Sequence, residues 1–225
     1  MRIERAHITA FLGLAALAWW VVLIVQGTEV SWDHARPFGA VVGCLGLSWL
    51  VLDRFLWRQR WLQGWFIKRP DLRGTWRVEV RSSYKRPGTE EPVPTIVCFM
   101  GVDQTLSTLQ MHLMTSESDS WFIADKIQPS PNSRGYQVIG VYTNEPNVHL
   151  RGDRISEMHY GALILETHGR DVRPVLLTAS YWTDRKTTGT MEFTDRIDEV
   201  HTLYADAAGA FDSAATAPDI DEAKR

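Results

Sequence analysis

Residues 177–197, LTASYWTDRKTTGTMEFTDRI, carry the clearest sign of the fold, because apolar and polar side chains alternate on both sides of a central polar run. A period of two is typical of β-strands, whose successive side chains point to opposite faces. The run from Lys186 to Gly189 marks a break between two strands. The same period predicts further strands over most of residues 71–200. The eight predicted strands are 74–84, 95–104, 105–115, 119–127, 136–144, 157–167, 174–184 and 188–198.

Eight short strands within one stretch of chain favour a barrel. Eight strands enclose a space that holds side chains or one small ligand. We therefore predict an all-β soluble domain over residues 71–204, a compact eight-stranded antiparallel up-and-down β-barrel of lipocalin-like architecture. A β-sandwich is the alternative. The tail 205–225 is acidic and has few large apolar side chains, so we expect it to be disordered or a marginal helix.

The first third of the chain predicts a membrane anchor. Residues Ile8 to Gln26 carry no charged side chain over 19 positions, close to the roughly 20 residues with which a helix crosses a bilayer. A second apolar run extends from Pro37 to Leu52. We expect a two-helix transmembrane hairpin within residues 1–56, with spans at about 8–26 and 37–52. A cleaved signal peptide is the alternative for the first run, although no small-residue cleavage site follows it.

The distribution of basic residues predicts the orientation of this hairpin. The connection between the two runs holds one basic residue, Arg36. By the positive-inside rule, both termini face the cytoplasm. The basic residues after the second run are Arg54, Arg58, Arg60, Lys68 and Arg69.

Two spacing patterns predict helix contacts in this region. Trp57, Trp61 and Trp65 recur at every fourth position of the linker 57–70, as in a helix that lies in the membrane interface. Small residues in the second run would lie on one helix face and allow close approach, either within the hairpin or between chains. These small residues are Gly39, Gly43 and Gly46.

Charge and cysteine content narrow the functional classes. The chain of 225 residues has a net charge of −3, divided as +4 over residues 1–70, −4 over 71–200 and −3 over 201–225. The acidic strand-rich half argues against binding of long DNA or RNA, which needs a basic surface. Two cysteines, Cys44 and Cys98, imply no disulfide framework and fit a reducing compartment.

The sequence carries no familiar enzyme or metal signature. It has no G-x-S-x-G elbow, P-loop, H-E-x-x-H or C-x-x-C motif. None of its seven histidines is paired with another at a spacing of three or four residues. We therefore expect no catalytic residue, no metal site and no cofactor.

The best candidate for a ligand site is the row Tyr181, Thr183 and Arg185, whose side chains share one face if the strand stays extended. The row offers an aromatic ring, a hydroxyl and a planar guanidinium, which suit a nucleotide base and a phosphate. Other polar positions would complete one rim of the barrel. The alternative is that these are ordinary strand positions and that Arg185 pairs with Asp184 or Glu145. The further rim positions are Ser120, Tyr142, Asn144 and His159.

These residues stand in an order that resembles the CBASS antiphage effectors with two N-terminal membrane helices and a β-strand-rich, cyclic-nucleotide-sensing barrel. The resemblance covers the chain up to Tyr204. The matching segments are Asp71-Leu72-Arg73-Gly74-Thr75-Trp76, Ser82-Ser83, Gln104 before a Leu/Thr strand, Ser116 to Ser120, Tyr142-Thr143-Asn144-Glu145-Pro146, His159-Tyr160-Gly161-Ala162 and Tyr181 to Gly189.

The resemblance implies a cytoplasmic barrel at the bacterial inner membrane that binds a cyclic dinucleotide made by a partner nucleotidyltransferase. Binding would drive homo-oligomerisation through the membrane helices, disrupt the lipid bilayer and kill the infected cell. The alternatives are a membrane-tethered, lipocalin-like carrier of an apolar small molecule or lipid, and a purely structural scaffold. The implied ligand contacts are Arg185, Thr183, Tyr181, Tyr142, Asn144, Gln104, His159, Ser120 and Trp76.

Overall fold

The computed structural model describes residues 5–27, 32–85, 91, 93–147, 157–169 and 171–216. The chain divides into two compact units, residues 1–62 with 105–108, and residues 63–104 with 109–225. The helices are α1 (Arg5–Val25), α2 (Trp32–Arg54) and α3 (Tyr204–Thr216). The strands are β1 (Gly74–Ser82), β2 (Ile96–Gln104), β3 (Leu109–Met114), β4 (Ser118–Pro129), β5 (Tyr136–Pro146), β6 (His159–Thr167), β7 (Leu177–Thr183) and β8 (Thr188–Ile197).

In the first unit, both apolar runs are helical. Helices α1 and α2 cover the two predicted spans and begin a few residues before them. Within the described ranges, no helix combines the length and the apolar character that crossing a membrane requires. Among the described atoms, nothing lies within 4 Å of a Cβ placed at Gly39, Gly43 or Gly46, so close packing of these glycines inside the hairpin is not seen.

The linker 57–70 is not the helix that the tryptophan spacing predicts. A single 3-10 turn spans Leu56–Arg58, and an isolated bridge then pairs Gln63 with Ile67. Between them Gly64 has a φ of +90°, a left-handed conformation that glycine adopts without strain. The helical turn has already ended at Gln59, which is extended, so the spacing of four does not place the rings on one helix face. Trp57 is buried, whereas Trp61 and Trp65 are exposed.

The second unit is a closed barrel. Each strand pairs antiparallel with the next, from β1 to β8, and β8 pairs back onto β1. This confirms the predicted eight-stranded antiparallel barrel over the sandwich alternative. One boundary differs, since β3 begins at Leu109 rather than at residue 105. Residues 105–108 form a turn in which the Thr105 Oγ1 accepts the N–H groups of Ser107 and Thr108, at 3.2 and 3.1 Å.

The barrel interior is filled by side chains. Every strand except β4 contributes buried apolar residues to one continuous core, and Phe122 and Ile127 of β4 pack against it. Trp76 and Phe193 meet edge to face with ring centroids 5.9 Å apart. An eight-stranded barrel is just wide enough for such a filling. The core therefore occupies the space that a carrier of apolar molecules would need for its cargo.

Part of the predicted tail is ordered as α3. Ala207 and Phe211, four residues apart, share a helix face and are buried against Phe99 and Met114. The Phe99 and Phe211 rings stack with centroids 5.3 Å apart. The approach to β2 depends on Gly101, where a Cβ would lie 2.4 Å from the His201 carbonyl oxygen. Residues 217–225 of the predicted tail lie outside the described residues.

Candidate functional site

The antiparallel strands give the barrel two distinct ends. We call one the entry end, where β1 begins at Gly74 and β8 ends at Ile197. We call the other the polar mouth, where β5 ends at Pro146, β6 begins at His159 and the chain turns between β7 and β8. Loops at opposite ends of an antiparallel barrel are separated by the length of its strands. The end at which a residue lies therefore decides what it can contact.

The structure brings most of the predicted ligand residues together at one end. Two predicted residues, Gln104 and Trp76, lie at the entry end instead, at the end of β2 and near the start of β1. The seven that gather toward the polar mouth are Ser120, Tyr142, Asn144, His159, Tyr181, Thr183 and Arg185.

Two tyrosine rings form the floor of the mouth, and each lies against a glycine of the neighbouring strand. Tyr142 pairs with Gly161, and Tyr181 pairs with Gly189. A Cβ at Gly161 would lie 2.4 Å from the Tyr142 Cζ and Oη, and one at Gly189 would lie 2.5 Å from the Tyr181 Cε1. Only glycine leaves room for the rings there. Both tyrosines belong to the buried core, so the rings close the barrel interior.

The environment of both phenols keeps them protonated. Burial raises the pKa of Tyr142, and the neighbouring Tyr181 and Asp184 raise it further. Burial also raises the pKa of Tyr181, although a hydrogen bond with Ser82 opposes the shift. Both rings therefore offer a neutral aromatic surface and an O–H group at neutral pH. Ser82 was not among the predicted contacts, yet it lies two residues after Val80 on the inward face, so the period of two contained this signal.

The walls of the mouth are hydroxyl and amide groups held by one another. Asn144 Nδ2 donates to the Ser118 Oγ at 3.0 Å and to the Ser120 Oγ at 2.8 Å. Across the mouth, the Thr183 and Thr187 hydroxyl oxygens lie 2.6 Å apart. Asn144, Ser120 and Thr183 are buried, so these bonds fix the direction of each polar group.

The rim carries Arg185 and His159, which meet at one backbone carbonyl. Arg185 Nη2 donates to the Glu157 carbonyl oxygen, and His159 Nδ1 lies 3.2 Å from the same atom. Burial lowers the pKa of His159, and the charge of Arg185 lowers it further, whereas the Glu157 hydrogen bond and Asp184 act in the opposite direction. The imidazole is therefore neutral at neutral pH.

Within the part of the chain that the structure describes, Arg185 bonds to a backbone carbonyl and to no carboxylate. Among the described residues, the alternative ion pair with Asp184 or Glu145 does not form, because Arg185 bonds to the Glu157 carbonyl. The Asp184 carboxylate instead accepts the Tyr160 backbone N–H at 3.1 Å. A guanidinium forms charge-assisted, often bidentate hydrogen bonds with a phosphate.

The side chains of the two predicted residues at the entry end, Gln104 and Trp76, form hydrogen bonds with the backbone of neighbouring residues. Gln104 Oε1 accepts the Leu72 N–H, and its Nε2 donates to the Pro70 carbonyl, both at 2.9 Å. Trp76 Nε1 donates to the Leu72 carbonyl at 2.8 Å. Both side chains are buried. They hold the chain where it enters the barrel, and the geometry does not bring them to the other candidates.

Two arginines of the entry end pair with carboxylates, and a third, Arg196, donates to the Asp71 backbone carbonyl at 3.2 Å. Arg73 pairs with Asp71 at 2.8 Å, and Arg173 pairs with Asp198. Burial and the nearby Arg173 lower the pKa of Arg196 to about 10, and its guanidinium lies 4.5 Å from the centroid of the Trp76 ring. The described residues hold no group of three side chains placed to bind a metal ion.

One family of known sequences matches this barrel. The family is described as Cap15, cyclic dinucleotide receptor domain, and its match covers residues 67–195. The chain belongs to the Cap15 cyclic dinucleotide receptor family. The match confirms the predicted family for the strand-rich half of the chain. It begins after α2 and ends before α3, so both lie outside the Cap15 domain. No curated protein matches this chain.

Proposed function

We propose that this protein is a membrane-anchored CBASS effector whose Cap15 barrel binds a cyclic dinucleotide at the polar mouth. One observation carries the proposal. The interior is packed up to Tyr142 and Tyr181, and hydroxyl and amide groups gather at the same end as Arg185, which pairs with no carboxylate among the described residues. A cyclic dinucleotide combines two bases with two phosphates, so it requires aromatic, hydrogen-bonding and cationic contacts in one place.

Each group of the mouth has a role in this proposal. Arg185 holds a phosphate through charge-assisted hydrogen bonds. Tyr142 or Tyr181 stacks with a base, since an aromatic ring accepts the face of any base. Asn144 and Thr183 bond to the sugar or the base edge, and their existing bonds to neighbouring hydroxyls orient them before the ligand arrives. This preorganisation reduces the entropy lost on binding.

Binding is tested on the full chain in detergent micelles. Cyclic di-GMP, cyclic di-AMP and cyclic GMP-AMP are titrated, and the melting temperature of the barrel is followed. We expect one of them to raise it and Arg185→Ala to weaken its affinity about 10- to 100-fold, because a hydrogen bond to a charged group contributes about 1.5–3 kcal/mol. Arg81→Ala is the matched control, since Arg81 is an exposed arginine that pairs with Glu192 at 3.3 Å. Equal affinity in the Arg185 and Arg81 variants would contradict the assigned role.

The proposal assigns no catalytic step to the chain. The cyclic dinucleotide acts as a signal and leaves the site chemically unchanged. After prolonged incubation with the protein, we expect chromatography to recover the bound cyclic dinucleotide intact. Its conversion to a linear dinucleotide would contradict this part of the proposal.

We further propose that the bound ligand promotes self-association of the helices and disruption of the inner membrane, with both termini in the cytoplasm. The uncharged run Ile8 to Gln26 supports the anchor, and the spacing of Gly39 and Gly43 supports close helix contact. A switch from 1% to 99% assembled requires that the ligand favour the assembled state by about 5.5 kcal/mol. Several ligand sites in one assembly together supply this difference in free energy.

The assembly step is tested by dye release from vesicles of bacterial inner-membrane lipids. We expect Gly43→Leu to keep ligand affinity but lower dye release, because a large side chain separates the helices. Gly13→Leu is the control, since Gly13 lies in the other helix and no described atom lies within 4 Å of an added Cβ there. Full dye release by Gly43→Leu would show that Gly43 is not a contact between chains.

A further inference from the structure

The outer side of four neighbouring strands, β4 to β7, carries an exposed apolar surface. Its side chains point away from the core, and the large ones are between 38% and 50% exposed. Isolated apolar side chains are common on protein surfaces, whereas a continuous patch marks an interaction site. We call this surface the outer apolar face, formed by Trp121, Ile123, Val141, Tyr160, Ala162 and Trp182.

The strand register shows that the face is continuous. One row across the sheet runs from Trp121 through Thr143 to Tyr160. The next row runs from Val141 through Ala162 to Trp182. Paired residues on adjacent strands lie about 5 Å apart, so neighbouring side chains of a row are in contact range.

The size of the face suits an interface with another protein. Its exposed side chains present roughly 400–500 Å² of apolar surface, if a whole aromatic side chain is taken as about 200 Å². This is about half of the roughly 800 Å² that each partner buries in a standard interface. Polar residues around the face supply the remainder, as they do in the rim of such interfaces.

The charges beside the face identify a second copy of the chain as the partner. Glu117 is exposed in the β3–β4 turn, whereas the exposed Lys186 follows β7. In a two-fold contact with its axis along the barrel, β4 of one copy faces β7 of the other. The acidic edge of each copy then meets the basic edge of the other, which gives two equivalent contacts. We infer that two barrels dock through their outer apolar faces in this arrangement.

The same strand segments carry the outer face and the ligand mouth. Ser120 and Tyr181 point inward, and the residues that follow them, Trp121 and Trp182, point outward. A ligand that orders these strand segments orders both surfaces. In this respect the inference rests on the proposed function. The two-fold axis also keeps both mouths on one side of the inferred dimer.

Cross-linking tests the contact in the full chain. Ala162 lies on β6 and pairs with Val141 of β5, near the inferred axis, so Ala162→Cys places two thiols close together. The background is Cys44→Ser, because Cys44 is exposed and Cys98 is buried. We expect a short bismaleimide to yield dimers of the Ala162→Cys variant in lipid vesicles, and more of them with cyclic dinucleotide. The matched control is Gln110→Cys, an exposed position on β3 outside the face. Equal yields from both variants, or none from Ala162→Cys, would overturn the inference.

Charge reversal provides a second, independent test. We expect Glu117→Lys alone and Lys186→Glu alone to lower the cross-linked yield of Ala162→Cys several-fold, and the double reversal to restore it. No recovery in the double variant would contradict the arrangement. Melting curves with the three cyclic dinucleotides separate this test from the proposed function. A chain that none of them stabilises would refute the proposed ligand, whereas Ala162→Cys dimers formed without ligand would still support the docking face.

Discussion

Gly161→Ala tests the floor of the mouth directly. The added Cβ would lie 2.4 Å from the Tyr142 Cζ and Oη and 2.9 Å from the Trp182 carbonyl oxygen. Ordinary contacts of this kind are longer by about 1 Å. The Tyr142 ring must therefore move, although the surrounding core is close-packed. Overpacking of this kind costs about 1–3 kcal/mol. For a chain of this size, this corresponds to a melting temperature lower by about 3–9 °C.

The assay is thermal unfolding of the full chain in detergent, followed by near-ultraviolet circular dichroism. Gly209→Ala is the matched control: it lies in α3 with no described atom within 4 Å of the added Cβ, so alanine should stabilise that helix by about 1 kcal/mol. With Tyr142→Leu in the background, the penalty of Gly161→Ala should shrink, because the ring is gone. The reasoning would be refuted if Gly161→Ala had the melting temperature of the parent chain. It would also be refuted if Gly161→Ala lowered the melting temperature equally in the parent chain and in the Tyr142→Leu variant.

Three further predictions address other parts of the molecule. Since the pKa of His159 is lowered in the folded state, the unfolded chain gains the proton first as the pH falls below about 6.5, so thermal stability should fall there, and less in His159→Asn. Gln104→Ala should lower the unfolding free energy by about 2–4 kcal/mol, measured by urea titration, because two buried backbone groups lose their partner, while ligand affinity stays at the parent value. Phe211→Ala should release α3, detected as faster proteolysis of the C-terminal segment, while the near-ultraviolet spectrum of the barrel stays unchanged.

The period of two was sufficient to predict the barrel, but not the end at which each residue lies. Alternation assigns a side chain to the inner or outer face, and the structure places Tyr181 and Thr183 of the predicted row inside. Alternation does not indicate how far along the strand, and so at which end of the barrel, a residue lies. That information was available in the predicted topology, because odd-numbered strands run toward the mouth and even-numbered strands run away from it. Gln104 ends an even strand and Trp76 begins an odd one, so both belong to the entry end.

Other differences between prediction and structure arose from local features that the overall sequence pattern did not reveal. The β2–β3 turn lacks glycine and proline, and Thr105 supplies the hydrogen bonds instead, so the turn carried no common breaker signal. The tail is polar on average, yet Phe211 with Ala207 is enough to dock a helix. In the linker, a repeat of four resembles a helix, but the one helical turn there ends at Arg58 and Gln59 is extended. The turn and the linker were decided by local backbone conformation, and only the docking of α3 depended on tertiary contacts.

Because its first strand pairs with its last, the barrel can close only late in the synthesis of the chain. β1 (Gly74–Ser82) has one edge that only β8 (Thr188–Ile197) satisfies, and about 100 residues separate the two in the chain. A ribosome adds about 5–20 residues per second, so this edge waits roughly 5–20 s for its partner. A nascent or truncated chain that stops before β8 carries α1 and α2 but no closed receptor. The ability to read the signal is therefore acquired in the last stage of synthesis, which leaves unfinished chains unresponsive.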